Sequence, residues 1–271
     1  MSEQAEQKPP QSEENSSADP GSLYEAYQKQ QQDIENEIAM AQALITPAIP
    51  TSNLKQEYTD DPVFLAKCEQ LCARYPRLRR TRGDGNCFYR GFGFAYLDQL
   101  LQQPPEAAAK LKEICRQRKD AIIELGYSSV TVDDFYDAFS ELVETVERRE
   151  CSTANLESVF NNPGQSDYVV VFLRLLVSGH LQTHADFFQS FLDGEQTIKD
   201  FCATEVEPMR HESDHIHIIA LTQTLETCIA VEYMHRDGAG ISRHTFPDDG
   251  QSVPVLTLLY RPGHYDIIYD S

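Results

Sequence analysis

Basic residues are scarce in this 271-residue chain: 23 Lys and Arg stand against 43 Asp and Glu, a formal net charge of −20. So acidic a balance disfavours nucleic acid and anionic membranes as partners and favours neutral or basic proteins. Long apolar runs are missing too. The longest, Tyr168 to Val177, is too short to span a bilayer and contains Arg174. No secretory leader pattern opens the chain. The seven cysteines include no Cys-x-x-Cys pair. An odd, scattered set reads as reduced thiols of the cytoplasm or nucleus, not as a disulfide framework. No internal repeat is visible.

What is present suits a globular domain with a tail. A chain of this size buries roughly three quarters of its unfolded surface and needs no metal or disulfide staple. Residues 1–20 are acidic and nearly devoid of apolar side chains, so disorder is expected there. Ser22-Leu23-Tyr24-Glu25 forms a capping box, and Leu23, Tyr27, Ile34, Ile38 and Ile45 follow at helical spacing. The stripe is narrow and interrupted, which predicts a helical arm over 21–45, ended by Pro47 and Pro50, before a domain spanning 46–271. Asp61-Pro62 opens a second helix whose inner face carries Phe64, Leu65, Cys68, Leu71, Cys72 and Tyr75. The arginines that follow (74, 77, 79, 80 and 82) read as a solvated face paired with nearby acids.

From Pro105 to about Ser213 the pattern is mostly helical. Pro105 opens one helix, Gly126 closes it, and Thr131 caps the next, which runs to about Glu150. The run Tyr168 to Leu173 fits either a buried strand or a buried helix. After Leu225 come short β-branched or aromatic runs, Cys228–Met234, Arg243–Phe246, Val255–Tyr260 and Tyr265–Tyr269, punctuated by Asp-Gly and Pro-Gly turns. Helices first and strands last predict an α+β fold, a helical region followed by an antiparallel sheet.

The most informative stretch is Asp84-Gly85-Asn86-Cys87-Phe88-Tyr89-Arg90. Glycines allow a tight turn, and an apolar helical run follows, so Cys87 sits at a helix N-terminus. Free amides and the macrodipole favour a thiolate there, and amides of the Asp84–Asn86 turn are candidate oxyanion donors. A buried core cysteine is the competing reading. A thiolate nucleophile needs a base with an orienting group. His264 follows Pro262-Gly263 and opens the last strand, and alternate strand residues share a face, so His264 and Asp266 point together. His211, His215 and His217, with Glu212 and Asp214, invite a metal reading. However, Ser213 or Asp214 reads as an N-cap, and helical residues two apart diverge. No metal site and no cofactor are expected.

These residues resemble the ovarian-tumour (OTU) class of deubiquitinating cysteine proteases, and most closely the otubains. The likeness rests on Asp84–Arg90, on Ser213–Leu221, on Val231–Met234 and on Leu259–Ile267, and covers the chain from about Ser22 to its end. It implies a papain-like OTU fold with Cys87 as nucleophile, His264 as general acid/base, Asp266 as orienting acid and Asp84 supporting the oxyanion loop. It also implies that Tyr168 to Val177 is helical. Otubains hydrolyse isopeptide bonds between ubiquitins, preferring the linkage that marks proteins for the proteasome. Some bind ubiquitin-conjugating enzymes and block them without cleavage. The resemblance therefore implies ubiquitin, polyubiquitin and conjugating enzymes as partners, with a non-catalytic inhibitor as the alternative function. It likens the 21–45 arm to one that holds the proximal ubiquitin. For the distal ubiquitin it points to Ile219, Tyr233, His235, Tyr260 and Tyr265 as contacts. His235 stands where otubains more often carry an acid.

Overall fold

A computed structural model describes residues 29, 30 and 42–270, apart from 193 and 239. The chain divides after Gln42 into two units. The first, which contains the acidic segment 1–20 and most of the expected 21–45 arm, lies almost wholly outside the described residues. The boundary falls earlier than the sequence suggests. Leu44 and Ile45 are buried in the second unit, where Ile45 bridges to Thr81 and exchanges hydrogen bonds with the Asn161 side chain.

The second unit runs β1 (Ile49–Pro50), a 3₁₀ turn (Thr51–Glu57), α1 (Pro62–Arg74), β2 (Arg77–Arg79), α2 (Cys87–Leu100), α3 (Pro105–Glu124), α4 (Ser129–Glu147), α5 (Thr153–Phe160) and α6 (Pro163–Thr183). Short turns lead to α7 (His215–Thr224), and then to β3 (Ile229–Tyr233), β4 (Ser242–Phe246), β5 (Leu256–Arg261) and β6 (His264–Tyr269). The six strands form one sheet in the order β1-β2-β6-β5-β3-β4. The expected antiparallel pairing holds everywhere except between β3 and β5, which run parallel. The cause is local: β4 hairpins onto the outer edge of β3, so the chain returns to its inner edge in the original direction.

Local signals set the helix boundaries. Asp61 caps α1 by accepting from the amides of Val63 and Phe64, a contact of about 0.5–2 kcal/mol. Helix α4 is capped by Ser128, three residues before the expected Thr131. The ambiguous Tyr168–Leu173 run lies inside α6, which is buried on most of its circumference. A helix wrapped on nearly all sides shows a continuous apolar run, the pattern that a buried strand also shows.

Alternation along the strands divides the core. Val231, Leu258, Tyr265 and Ile267 face α2 and the helical layer, whereas Leu259 and Ile268 pack with Phe64, Leu71 and Tyr75 beneath α1. The arginine cluster is not one solvated face. Arg79 is buried, stacked over Phe94 and bonded to Thr46 O (2.9 Å) and Glu157 (2.7 Å), while Arg74 pairs with the fully buried Glu232 at 3.1 Å. Among the described residues, no helix is long and apolar enough to cross a membrane.

Candidate active site

Cys87 is the first residue of α2, and the turn before it is built from charges and close backbone contact. Gly85 has φ +74°, and a Cβ placed on it would stand 2.2 Å from the carbonyl oxygen of Arg210. Only glycine satisfies both conditions. The peptide between Gly85 and Asn86 is clamped from both ends. Its N–H donates to Asp84 Oδ1 at 3.0 Å, and its carbonyl accepts from Arg174 Nη2 at 3.0 Å. The Asn86 amide is thus committed to Asp84, which narrows the expected set of oxyanion donors in this turn.

Two buried arginines hold the clamp. Arg90 Nη1 donates to both oxygens of Asp84 (2.9 and 2.8 Å), while its other nitrogens reach Ser166 and Asp167. Arg174 lies over the Tyr89 ring and also donates to Asn86 Oδ1 and to the carbonyls of Val206 and His211. The Arg210 N–H completes the set by donating to Asn86 Oδ1. We expect Gly85→Ala to lower turnover about 10²-fold by displacing the turn through a fraction of an ångström. Initial rates of the variant beside the wild type check this, and an unimpaired variant would mean that the turn tolerates the shift.

The candidate base comes from the β5–β6 hairpin. Gly263 turns the chain at φ +72°, and β6 starts with His264. His264 Nε2 lies 2.9 Å from Asp266 Oδ1, the same-face neighbour required by strand alternation. The Asp266 side chain is fully buried. Its Oδ1 also accepts the Thr81 N–H (3.0 Å), and its Oδ2 accepts Arg261 Nη2 (2.6 Å). Burial alone would lift the Asp266 pKa, but the hydrogen bond from His264 and the Arg261 charge hold it below the ordinary carboxylate value. Burial also opposes charge on His264. Hydrogen bonds with Asp266 and Cys87 outweigh it and raise the imidazole to about 9. An imidazole held by a carboxylate and coupled to a cysteine at a helix start is the arrangement a thiolate nucleophile requires.

The family model for Peptidase C65 Otubain matches residues 37–270. The chain belongs to the otubain family. Its relatives include human ubiquitin thioesterase OTUB1, 45% identical over 90% of each chain, and human ubiquitin thioesterase OTUB2, 39% identical over 83% of this chain and 95% of that one. Among solved structures, the complex h/ceOTUB1–ubiquitin aldehyde–UBC13~Ub matches with a TM-score of 0.87 and 33% identity, covering 92% of this chain and 99% of that one. A corresponding complex with UBCH5B~Ub gives a TM-score of 0.86. The observed helical layer and mixed sheet are therefore the α+β otubain fold.

In this otubain the structure brings Cys87, His264, Asp266 and Asp84 to one region. The expected ubiquitin contacts divide. His235 is exposed, and Tyr260 and Ile219 are half-buried. Tyr233 and Tyr265 are each only 3% exposed, so neither offers the exposed aromatic face that the sequence suggested. Residues at and before the start of α7 cover them. Tyr265 donates its hydroxyl to Ser213 O at 3.1 Å, and His215 stacks flat on Tyr233. Both tyrosines then back Tyr260, with ring centroids 5.0–5.1 Å away. His217, once a metal candidate, accepts the Asp214 N–H through Nδ1, a capping contact.

The close backbone approach at Gly85 is as its residue type suggested, but sequence reasoning missed Thr81, Arg90, Arg174 and Arg261 as parts of the site. Arg174 did carry a signal, being a charge inside an otherwise apolar run. Such a residue is buried only when its hydrogen bonds are met elsewhere.

Proposed function

We propose that this otubain is a cysteine-type deubiquitinase that hydrolyses isopeptide bonds of polyubiquitin, with Cys87 as nucleophile. The observation that carries the reading is the His264 Nε2–Asp266 Oδ1 contact of 2.9 Å, made where the imidazole's other nitrogen faces Gly83 of the turn that leads to Cys87 at the start of α2. The Cys87 sulfur adds to the isopeptide carbonyl carbon, forming a C–S bond and an oxyanion near the first-turn amides of α2. His264 then passes its proton to the departing lysine amine as the C–N bond breaks, leaving a thioester. Water, deprotonated by His264, releases the ubiquitin carboxylate and restores the thiol. Asp266 holds the imidazole in the required orientation throughout, and Asp84 holds the loop.

The substrate and partners follow the relatives. Two OTUB1 complexes contain ubiquitin aldehyde together with a ubiquitin-charged UBC13 or UBCH5B. By that likeness this chain binds ubiquitin and ubiquitin-charged conjugating enzymes. The preference for the proteasome-targeting linkage rests on the sequence resemblance alone, and a cytoplasmic or nuclear place of action on the free cysteines. Tyr260, His235 and Ile219 meet the distal ubiquitin, backed by Tyr233 and Tyr265. A gel assay of every diubiquitin linkage tests the enzymatic reading, and absence of cleavage for all of them would overturn it. The inhibitor reading is separated by adding Cys87→Ala to a chain-synthesis reaction. Stoichiometric inhibition by that variant shows binding without cleavage.

We further propose that residues 21–42 form the arm that holds the proximal ubiquitin. Deletion of 1–42 spares Leu44 and Ile45, which are buried core. The deletion should leave the melting temperature nearly unchanged, raise KM for diubiquitin and spare labelling by a monoubiquitin electrophile. Equal losses in both assays would show that the arm is structural.

A further inference from the structure

The catalytic acid is the inner end of a row of alternating charges. Arg80 pairs with Glu57 Oε1, Glu57 Oε2 accepts Arg261 Nη1 (2.7 Å), and Arg261 Nη2 donates to Asp266 Oδ2 (2.6 Å). His264 closes the row. Three distant chain segments meet there: the end of the 3₁₀ turn, the residue after β2, and the β5–β6 hairpin, where Arg261 is the register partner of His264. The Arg261 side chain is 13% exposed, and its Nη1 also lies 3.4 Å from the Tyr58 hydroxyl.

This geometry constrains the one rotation that matters. Asp266 Oδ1 serves both His264 and the Thr81 amide. Its Oδ2 accepts the charged hydrogen bond from Arg261. With Oδ2 released, the carboxylate is free to rock about its Cβ–Cγ bond and to carry the imidazole away from the sulfur. A guanidinium fixed by a second carboxylate prevents this, because it is planar and cannot follow a rotating partner without breaking its bond to Glu57.

We propose that Arg261 is the positioning residue for the catalytic acid, and that Glu57 in turn positions Arg261. The proposal rests on the reading of Asp266 and His264 as catalytic. It makes the 3₁₀ turn Thr51–Glu57, remote in sequence from the chemistry, a determinant of rate.

The test compares Arg261→Met, Arg261→Lys, Glu57→Gln and Asp266→Asn in the full chain. kcat and KM are measured on a fluorogenic ubiquitin substrate from pH 5 to 10, alongside melting temperatures. Arg261→Met should lower kcat roughly tenfold or more, as loss of a charge-assisted hydrogen bond does, with KM little changed. The acid limb of its pH profile should move to higher pH, because Asp266 without its cation protonates sooner. Arg261→Lys should recover part of the rate. Glu57→Gln, at a more exposed position, should lose severalfold with the same direction of shift. A loss with an unmoved pH profile, or a loss confined to KM, overturns the proposal. Should Arg261→Met fail to fold, Glu57→Gln decides alone: unchanged kcat and pH profile overturn the proposal. Full activity of Asp266→Asn would instead sink the catalytic reading beneath it.

Discussion

Cys87→Ala is expected to abolish diubiquitin cleavage while leaving the fold and ubiquitin binding nearly intact. In the proposed reaction the Cys87 sulfur is the atom that bonds to the carbonyl carbon, and no other cysteine can replace it. Cys68, Cys115, Cys202 and Cys228 are buried, and Cys72 and Cys151 are half-buried. Burial raises the Cys68 thiol to about 11 and the Cys202 thiol to about 12, and pushes Cys115 up further. Those thiols stay protonated at neutral pH and are poor nucleophiles. Cys87 is also only 3% exposed, but it starts α2 and is coupled to the His264 imidazole. A ubiquitin probe with a C-terminal electrophile should therefore label Cys87 and none of the other six. Mass spectrometry of the adduct checks this. Adduct on another cysteine, or turnover surviving in Cys87→Ala, removes Cys87 from its assigned role.

Much of this site was legible because its parts are local. A cysteine after Gly85-Asn86 at the head of an apolar run announces a helix start. The same-face rule for strands placed His264 beside Asp266 without any knowledge of the partner strand. Likewise, Asp61-Pro62 marked α1, and Gly126 marked the end of α3. The pieces that stayed hidden depend on groups far apart in sequence. Arg261 reads as a surface charge until Glu57 and Asp266 are seen on either side of it. Arg79 does so until Glu157 is found against it. The three-residue β2 is too short to show a period and exists only because β6 and β1 pair with its two edges.

Burial of the aromatic strand residues shows the same limit from another direction. Period-2 alternation states which residues share a face, not whether that face is covered. Tyr233 and Tyr260 sit opposite one another across the parallel β3–β5 pair, yet only Tyr260 keeps exposed surface, because α7 lies over Tyr233 through His215. Of the five proposed ubiquitin contacts, this leaves Tyr260, His235 and Ile219 with exposed surface.

His264→Ala should cost about 10² to 10⁴ in rate, the usual contribution of a positioned acid/base. Asp266→Asn should cost as much or less, since it spoils orientation and charge stabilisation while leaving the imidazole. The two variants differ in pH dependence. In the wild type the imidazolium persists to about 9, with Asp266 among the groups that raise it. Activity should fall as pH passes that value, and in Asp266→Asn the alkaline limb should move down. The same linkage reaches stability. A histidine whose folded pKa is lifted from 6.5 to about 9 contributes stability in full below 6.5. That contribution fades as pH rises through the folded value. Melting temperatures between pH 6 and 9.5 should therefore fall more steeply for the wild type than for His264→Ala. Parallel melting curves for the two proteins would mean that His264 is not charged in the folded state. Wild-type activity in Asp266→Asn would mean that another group orients the imidazole.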